Sequence, residues 1–113
     1  MASDPRSQNE SMRLTGLPVA FGFGVAPAKW TPPSPPTPFV LLSTSLSVDA
    51  AMAAIGGRAV AVVSQLGGAT CHAAMLLRHH GIPCVSAVAD IDKIPVGVLL
   101  RVDGTTGHIE WNF

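Results

Sequence analysis

His72 stands at the centre of the run Gly67-Gly68-Ala69-Thr70-Cys71-His72-Ala73-Ala74-Met75-Leu76-Leu77-Arg78, which Gly81-Ile82-Pro83 closes. A glycine turn followed by small and aliphatic residues predicts a helix from about His72 to His80, stopped by Gly81 and Pro83. His72 is thereby placed at the helix mouth, where backbone N–H groups lack partners and the positive end of the helix dipole attracts anions. An imidazole in that position is suited to receive and hand on a phosphoryl group. One ring nitrogen acts as the nucleophile, and an acceptor, expected to be a carbonyl, fixes the N–H of the other. Gly67 and Gly68 allow an anion to approach the backbone closely. Thr70 is a plausible N-cap whose hydroxyl has a phosphate oxygen as its other candidate partner. Arg78, six residues on, either folds back toward an anion or pairs at the surface.

Other chemistry is less well served by the spacing. Cys71, His72, His79 and His80 lie close in sequence, but His72 and His79 are about 10 Å apart along a helix rising 1.5 Å per residue. Zinc ligands sit near 2 Å from the ion, and no i, i+4 pair of His or Cys occurs here, so no metal site is expected. His79 and His80 read as the polar end of the helix, next to its negative pole. Cys71 reads either as a thiol activated by the helix terminus or, more commonly for its type, as small buried filler. His108 reads as structural. Asp49, Asp90, Asp92, Asp103 and Glu110 are scattered and form no Mg²⁺-binding group.

The elements that must position His72 alternate. Phe39 to Leu42 reads as a short buried strand. A helix capped at Ser47 follows through Ile55 and ends at Gly56-Gly57. Ala59 to Val63 is all apolar, as in a strand buried on both faces of a parallel sheet, and Cys84 to Val88 is a third strand. Two successive strand–helix–strand units imply a parallel core, with His72 at the carboxyl ends of its strands, where open α/β sheets bind ligands. Val98 to Val102 and His108 to Trp111, joined by Asp103-Gly104-Thr105-Thr106-Gly107, read as a hairpin. Leu14 to Trp30, with Gly16, Gly22 and Gly24, reads as a glycine-rich strand whose backbone passes close to a neighbour. Gly22-Phe23-Gly24 is a fragment of a dinucleotide fingerprint, but Pro27 stands where its last glycine belongs and no helix opens there. Thr31 to Pro38 is a proline-stiffened connector. The fold class is α/β, with a parallel core sheet and a smaller antiparallel one.

At 113 residues and 48% hydrophobic composition, the chain has room for one domain with a modest core. Residues 1–12 read as a flexible tail and 13–113 as the domain. Seven basic and seven acidic residues cancel, which argues against nucleic acid or an anionic membrane as partner. Charged residues make up only 12%, low enough to point to a surface that works against other proteins. Met1 to Arg13 lacks the apolar segment of a signal peptide, no run of 18 apolar residues occurs, and two cysteines make no disulfide framework. The chain is expected to be soluble and cytoplasmic.

The run around His72 resembles the phosphohistidine motif of the swivelling (mobile) domain of phosphoenolpyruvate-utilising enzymes. That family includes phosphoenolpyruvate synthase, pyruvate phosphate dikinase and the first enzyme of the sugar phosphotransferase system. Gly67, Gly68, Thr70, Cys71, His72, Ala73, Ala74, Arg78, Gly81, Ile82 and Pro83 all match, and the Thr-Cys-His form is most like phosphoenolpyruvate synthase. Weaker matches at Leu14 to Gly24 and at Val102 to Gly107 extend the likeness over about residues 14–110. Many relatives carry an acidic residue just before the glycine pair, where this chain has Ser64-Gln65-Leu66, and Leu77 replaces a frequent alanine.

The resemblance implies a three-layer β/β/α swivelling domain phosphorylated on Nε2 of His72. It implies Gly67, Gly68, Thr70, Cys71 and Arg78 as phosphate-binding or supporting residues. Thr70 matches the threonine that some dikinases phosphorylate for regulation. The implied function is phosphoryl carriage between partner active sites of a split synthase- or dikinase-like phosphotransferase. The expected partners are a nucleotide-binding protein, a barrel protein handling phosphoenolpyruvate or pyruvate, or both. Mg²⁺ with ATP or phosphoenolpyruvate belongs to those partners, and no cofactor is expected on this chain. With no P-loop and no carboxylate cluster, the chain is expected to carry phosphate and not to generate or consume it. The alternatives are a non-catalytic interaction or regulatory module that keeps the fold, and a hydrolase using Cys71 and His72. The hydrolase lacks a third orienting group.

Overall fold

A computed structural model describes residues 12–113. The strands are β1 (Met12–Thr15), β2 (Leu17–Ala20), β3 (Phe23–Lys29), β4 (Val40–Ser45), β5 (Ala61–Leu66), β6 (Cys84–Ser86), β7 (Leu99–Asp103) and β8 (His108–Trp111). The helices are α1 (Val48–Gly57) and α2 (His72–His79), and a 3-10 turn spans Ile91–Lys93. The expected tail lies outside the described residues except for Met12, which opens β1.

The two strand–helix–strand units form as expected. β4 pairs parallel with β5, and β5 with β6. Side chains alternate across these strands with the period of two that a pleated backbone imposes. Leu41, Val62 and Cys84 face the helices, beside Ala51, Ala54, Ala73, Ala74 and Leu77. Val40, Leu42, Ala61, Val63 and Val85 face the other way, against Leu100, Val102, Ile109 and Trp111 of β7 and β8. The parallel sheet is thus buried on both faces, which accounts for its continuous apolar sequence. Each fully buried aliphatic side chain contributes about 1.5–3 kcal/mol.

Strand order is β1-β8-β7-β3-β4-β5-β6-β2. β1 and β2 occupy opposite edges, yet only Gly16 separates them in sequence. The sheet must therefore curl until its edges meet at Gly16, which turns eight strands into two stacked layers. With the helices outside, this is the β/β/α arrangement. Gly16 donates its N–H to Gly107 O at 2.9 Å, and a Cβ there would collide with Ser86 O. One long glycine-rich strand is the expectation for this region. The structure has three, because Gly16 turns the corner between layers and Gly22, at φ 126°, reverses the chain.

α1 ends differently from the expectation. Gly56 and Gly57 remain helical, and Arg58 takes the left-handed conformation (φ 59°, ψ 47°). Arg58 N–H reaches Ile55 O and Ala59 N–H reaches Ala54 O, the paired closure of a Schellman motif. Gly57 is needed for space instead, since a Cβ there would sit 3.0 Å from Pro32 and 3.1 Å from Phe39. No helix among the described residues is long and apolar enough to cross a membrane.

Candidate functional site

β5 delivers the chain at its carboxyl end into the loop 67–71, and α2 begins at His72. Several carbonyls in and beside the loop are held by other parts of the protein. Leu66 O accepts Leu46 N–H at 2.8 Å, Gly67 O accepts the Ser86 hydroxyl at 3.0 Å, and Ala69 O accepts the Arg78 guanidinium. Cys71 O takes the Met75 N–H of the first helical turn. The opposite holds for the donors. Among the described residues, nothing accepts the N–H of Gly68, Ala69, Thr70, Cys71, His72, Ala73 or Ala74. A run of consecutive N–H groups without protein acceptors makes a rim of positive partial charge, the arrangement that binds anions in phosphate loops.

Electrostatics at the helix start reinforce this. α1 is closed by Ser47 Oγ, which accepts Ala50 N–H at 3.1 Å, and carries Asp49 in its first turn. α2 has no side-chain cap and no acidic residue in its first turn. The positive pole of α2 is therefore uncompensated by the protein itself.

His72 is the first helical residue and is exposed. The expected carbonyl partner is missing, since neither ring nitrogen makes a hydrogen bond among the described residues. Thr70 is exposed in the turn and is not the N-cap. Cys71 occupies that position (φ −70°, ψ 161°), and its thiol points to Leu46 O at 3.9 Å instead of to the helix. That accounts for the uncapped start, because a sulfur packed against Leu46 is turned away from the first-turn amides. Cys71 is half-buried against the helix-side core, in keeping with the filler reading.

The two glycines separate in role. Gly67 has φ 139°, and a Cβ would stand 2.5 Å from Leu46 Cβ. Around Gly68 nothing lies within 4 Å, so its open side is free for an incoming group. Arg78 folds back, but onto carbonyls, with Nε on Val19 O at 2.7 Å and the guanidinium end on Ala69 O. It ties α2 to β2 and to the loop. Arg78 also lines a cleft of about 290 Å³ with Ala20, Phe21, Gly22, Gly81 and Ile82, and His72 is not part of it.

His79 and His80 stack edge to face at the far end of α2, with His80 Nδ1 3.0 Å from Leu76 O. No group of three metal-ligating side chains occurs among the described residues. Burial pushes the thiol of Cys84, the other free cysteine, up to about 12; nearby Cys71 adds to the rise and Arg78 opposes it.

Two residues escaped the sequence reading. Ser64 and Ser86 are fully buried. Ser64 donates to Ser86 Oγ at 2.8 Å, and Ser86 donates to Gly67 O. Each lies two positions beyond a helix-facing residue, Val62 and Cys84, so alternation puts both hydroxyls beneath the loop. A polar residue continuing the inward register of an apolar strand was the available signal.

The chain is similar to known proteins in sequence and in fold. The family model described as "PEP-utilising enzyme, mobile domain" matches residues 35–107. The phosphoenolpyruvate-protein phosphotransferase of Streptomyces coelicolor is 34% identical over 97 residues, covering 86% of this chain and 16% of that protein. The phosphoenolpyruvate synthase of Pyrococcus furiosus is 39% identical over 71 residues, covering 62% of this chain and 8% of the synthase. The chain thus spans a small part of these relatives. Among solved structures, the N-terminal domain of Enzyme 1 - Nitrogen superposes with a TM-score of 0.56 at 30% identity, over 68% of this chain and 32% of that one. A chain of Thermococcus kodakaraensis aconitase X superposes with a TM-score of 0.64 over 88% of this chain and 98% of its own length. At 16% identity that second likeness concerns the fold alone.

Proposed function

This chain belongs to the mobile-domain family of PEP-utilising enzymes, and from that premise we propose that it carries a phosphoryl group on His72 between active sites held by other domains. The observation that carries the reading is the amide rim: an exposed imidazole follows a loop in which side chains hold Gly67 O and Ala69 O, and the N–H groups from Gly68 to Ala74 have no acceptor among the described residues. A docking module without chemistry gives that arrangement no purpose.

In the charging step the lone pair of Nε2 attacks phosphorus. A P–N bond forms while the P–O bond to the donor breaks, and the electron pair leaves with the enolate of pyruvate or with ADP. Free amides of the loop and first helical turn meet the phosphoryl oxygens, where developing negative charge is best stabilised by donors already in place. Discharge is the reverse with another acceptor. Residues 13–113 form the carrier domain, working in the cytoplasm. Mg²⁺ and the nucleotide or phosphoenolpyruvate are held by a nucleotide-binding partner, a barrel partner or both, and Thr70 and Cys71 flank the transferred group.

His72 lies on the surface, as a residue must that enters another protein's active site. Leu66 and Met75 nearby are 58% and 51% exposed, which suits a transient interface burying less than about 1,200 Å².

The test is intact-mass measurement after incubation with a family donor enzyme plus phosphoenolpyruvate or ATP. One added phosphate is expected, lost in mild acid and kept in alkali. His72→Ala should take up none; labelling of that variant as strong as wild type removes the assignment.

A further inference from the structure

Gly67 and Gly68 share one peptide unit, and it is trans, the described residues having a cis bond at Ser34–Pro35 alone. In a trans peptide the C=O and N–H point in opposite directions. Ser86 holds the carbonyl end of this unit at 3.0 Å, on the buried side of the loop. The N–H end, belonging to Gly68, must then point away from Ser86, and it has no acceptor among the described residues. Ser64 in turn donates to Ser86 Oγ at 2.8 Å, which commits the Ser86 hydroxyl hydrogen to Gly67 O. Both serines are fully buried, so water does not compete for the bond between them. Gly67, at φ 139°, lacks the steric restraint that fixes other residues, and a peptide beside it turns readily unless something grips it.

We propose that Ser86, oriented by Ser64, is a positioning residue for phosphoryl transfer at His72. It fixes the Gly67–Gly68 peptide so that the Gly68 N–H faces the incoming phosphoryl group. The proposal rests on the carrier reading of His72 and adds to it the part that aims the donor. Without the Ser86 hydroxyl the peptide is free to rotate, and the Gly68 amide is presented for only part of the time.

Phosphoramidate, a small donor that needs no partner enzyme, provides the test. Nε2 attacks phosphorus, the P–N bond of the reagent breaks and ammonia leaves. His79, His80 and His108 are exposed and lie outside the loop 67–71, so they serve as internal references within each molecule. Site-resolved mass spectrometry reads the initial labelling rate of His72 relative to those three. Wild type is expected to label preferentially at His72. Ser86→Ala should lower the ratio about tenfold, less than the loss of a whole oxyanion donor, and Ser64→Ala should lower it by less. A merely structural role would leave the ratio unchanged, because loosening the fold at large does not single out His72 from its references. An unchanged ratio in Ser86→Ala overturns the proposal; if that variant does not fold, an unchanged ratio in Ser64→Ala does so. Absence of preference for His72 in the wild type counts against the carrier reading itself, a different outcome from either.

Discussion

Gly67 and Gly68 adjoin in the chain yet meet opposite surroundings, and substitution should separate them. Gly67→Ala puts a side chain at φ 139° and 2.5 Å from Leu46 Cβ, so we expect about 2–4 kcal/mol of lost stability in a denaturant melt. Gly68→Val meets nothing within 4 Å. It should fold like wild type while its bulk blocks labelling of His72; labelling at the normal rate would show that the loop is only a connector. The pair's presence was legible in the sequence, but its division of labour was not, because it depends on where Leu46 lies in space. The same is true of Cys71, which took the cap position assigned to Thr70 once its sulfur found the Leu46 carbonyl. Cys84 supplies a pH test. Its folded pKa is raised from 9.0 to about 12 by burial, so the unfolded chain releases the proton first. This stability is fully present below pH 9 and is lost as pH climbs from 9 toward 12. Stability measured over that window should fall less steeply in Cys84→Ala, and at pH 8 alkylation of the native protein should find Cys71 and spare Cys84.

Among the elements, the repeating strand–helix–strand part and the closing hairpin were legible because their burial leaves a pattern in the sequence, continuous in one and alternating in the other. β4, β5 and β6 each carry apolar residues on both faces, and β7 and β8 alternate. The first third was not, since Leu14 to Trp30 holds one uninterrupted small-apolar composition while Gly16 sends its two halves to opposite edges of the sheet. No local signal distinguishes a glycine that lets backbones touch from one that turns a corner. The end of α1 shows the converse: the glycines are helical and Arg58 makes the left-handed turn. Arg58→Gly removes the side-chain penalty at φ 59° and should raise stability by about 0.5–1 kcal/mol. A thermal melt that shifts downward would mean that the Arg58 side chain contributes more than its backbone costs. Ser64 and Ser86 were readable as breaks in apolar strands, but their partnership across two strands, and its connection to Gly67, needed the register of β5 with β6.

At the scale of the whole molecule, a surface histidine on a three-layer body suits a part that moves between sites. On the proposed function the chemistry is divided accordingly, with the amide rim and nucleophile on this chain and the donor, metal and acceptor elsewhere. Alone with ATP or phosphoenolpyruvate, the chain should neither turn over nor label itself. The most direct measurement is a pulse–chase of the isolated phosphorylated protein. It is charged on His72 by a family donor enzyme and phosphoenolpyruvate, freed of both, and then offered the donor enzyme with excess pyruvate while the phosphate mass is followed. The account predicts that the label persists in the freed protein and is discharged within the chase to regenerate phosphoenolpyruvate. It also predicts that His72→Ala enters neither step. A label that stays on the chain through the chase, or steady turnover by the isolated protein without any partner, would contradict it.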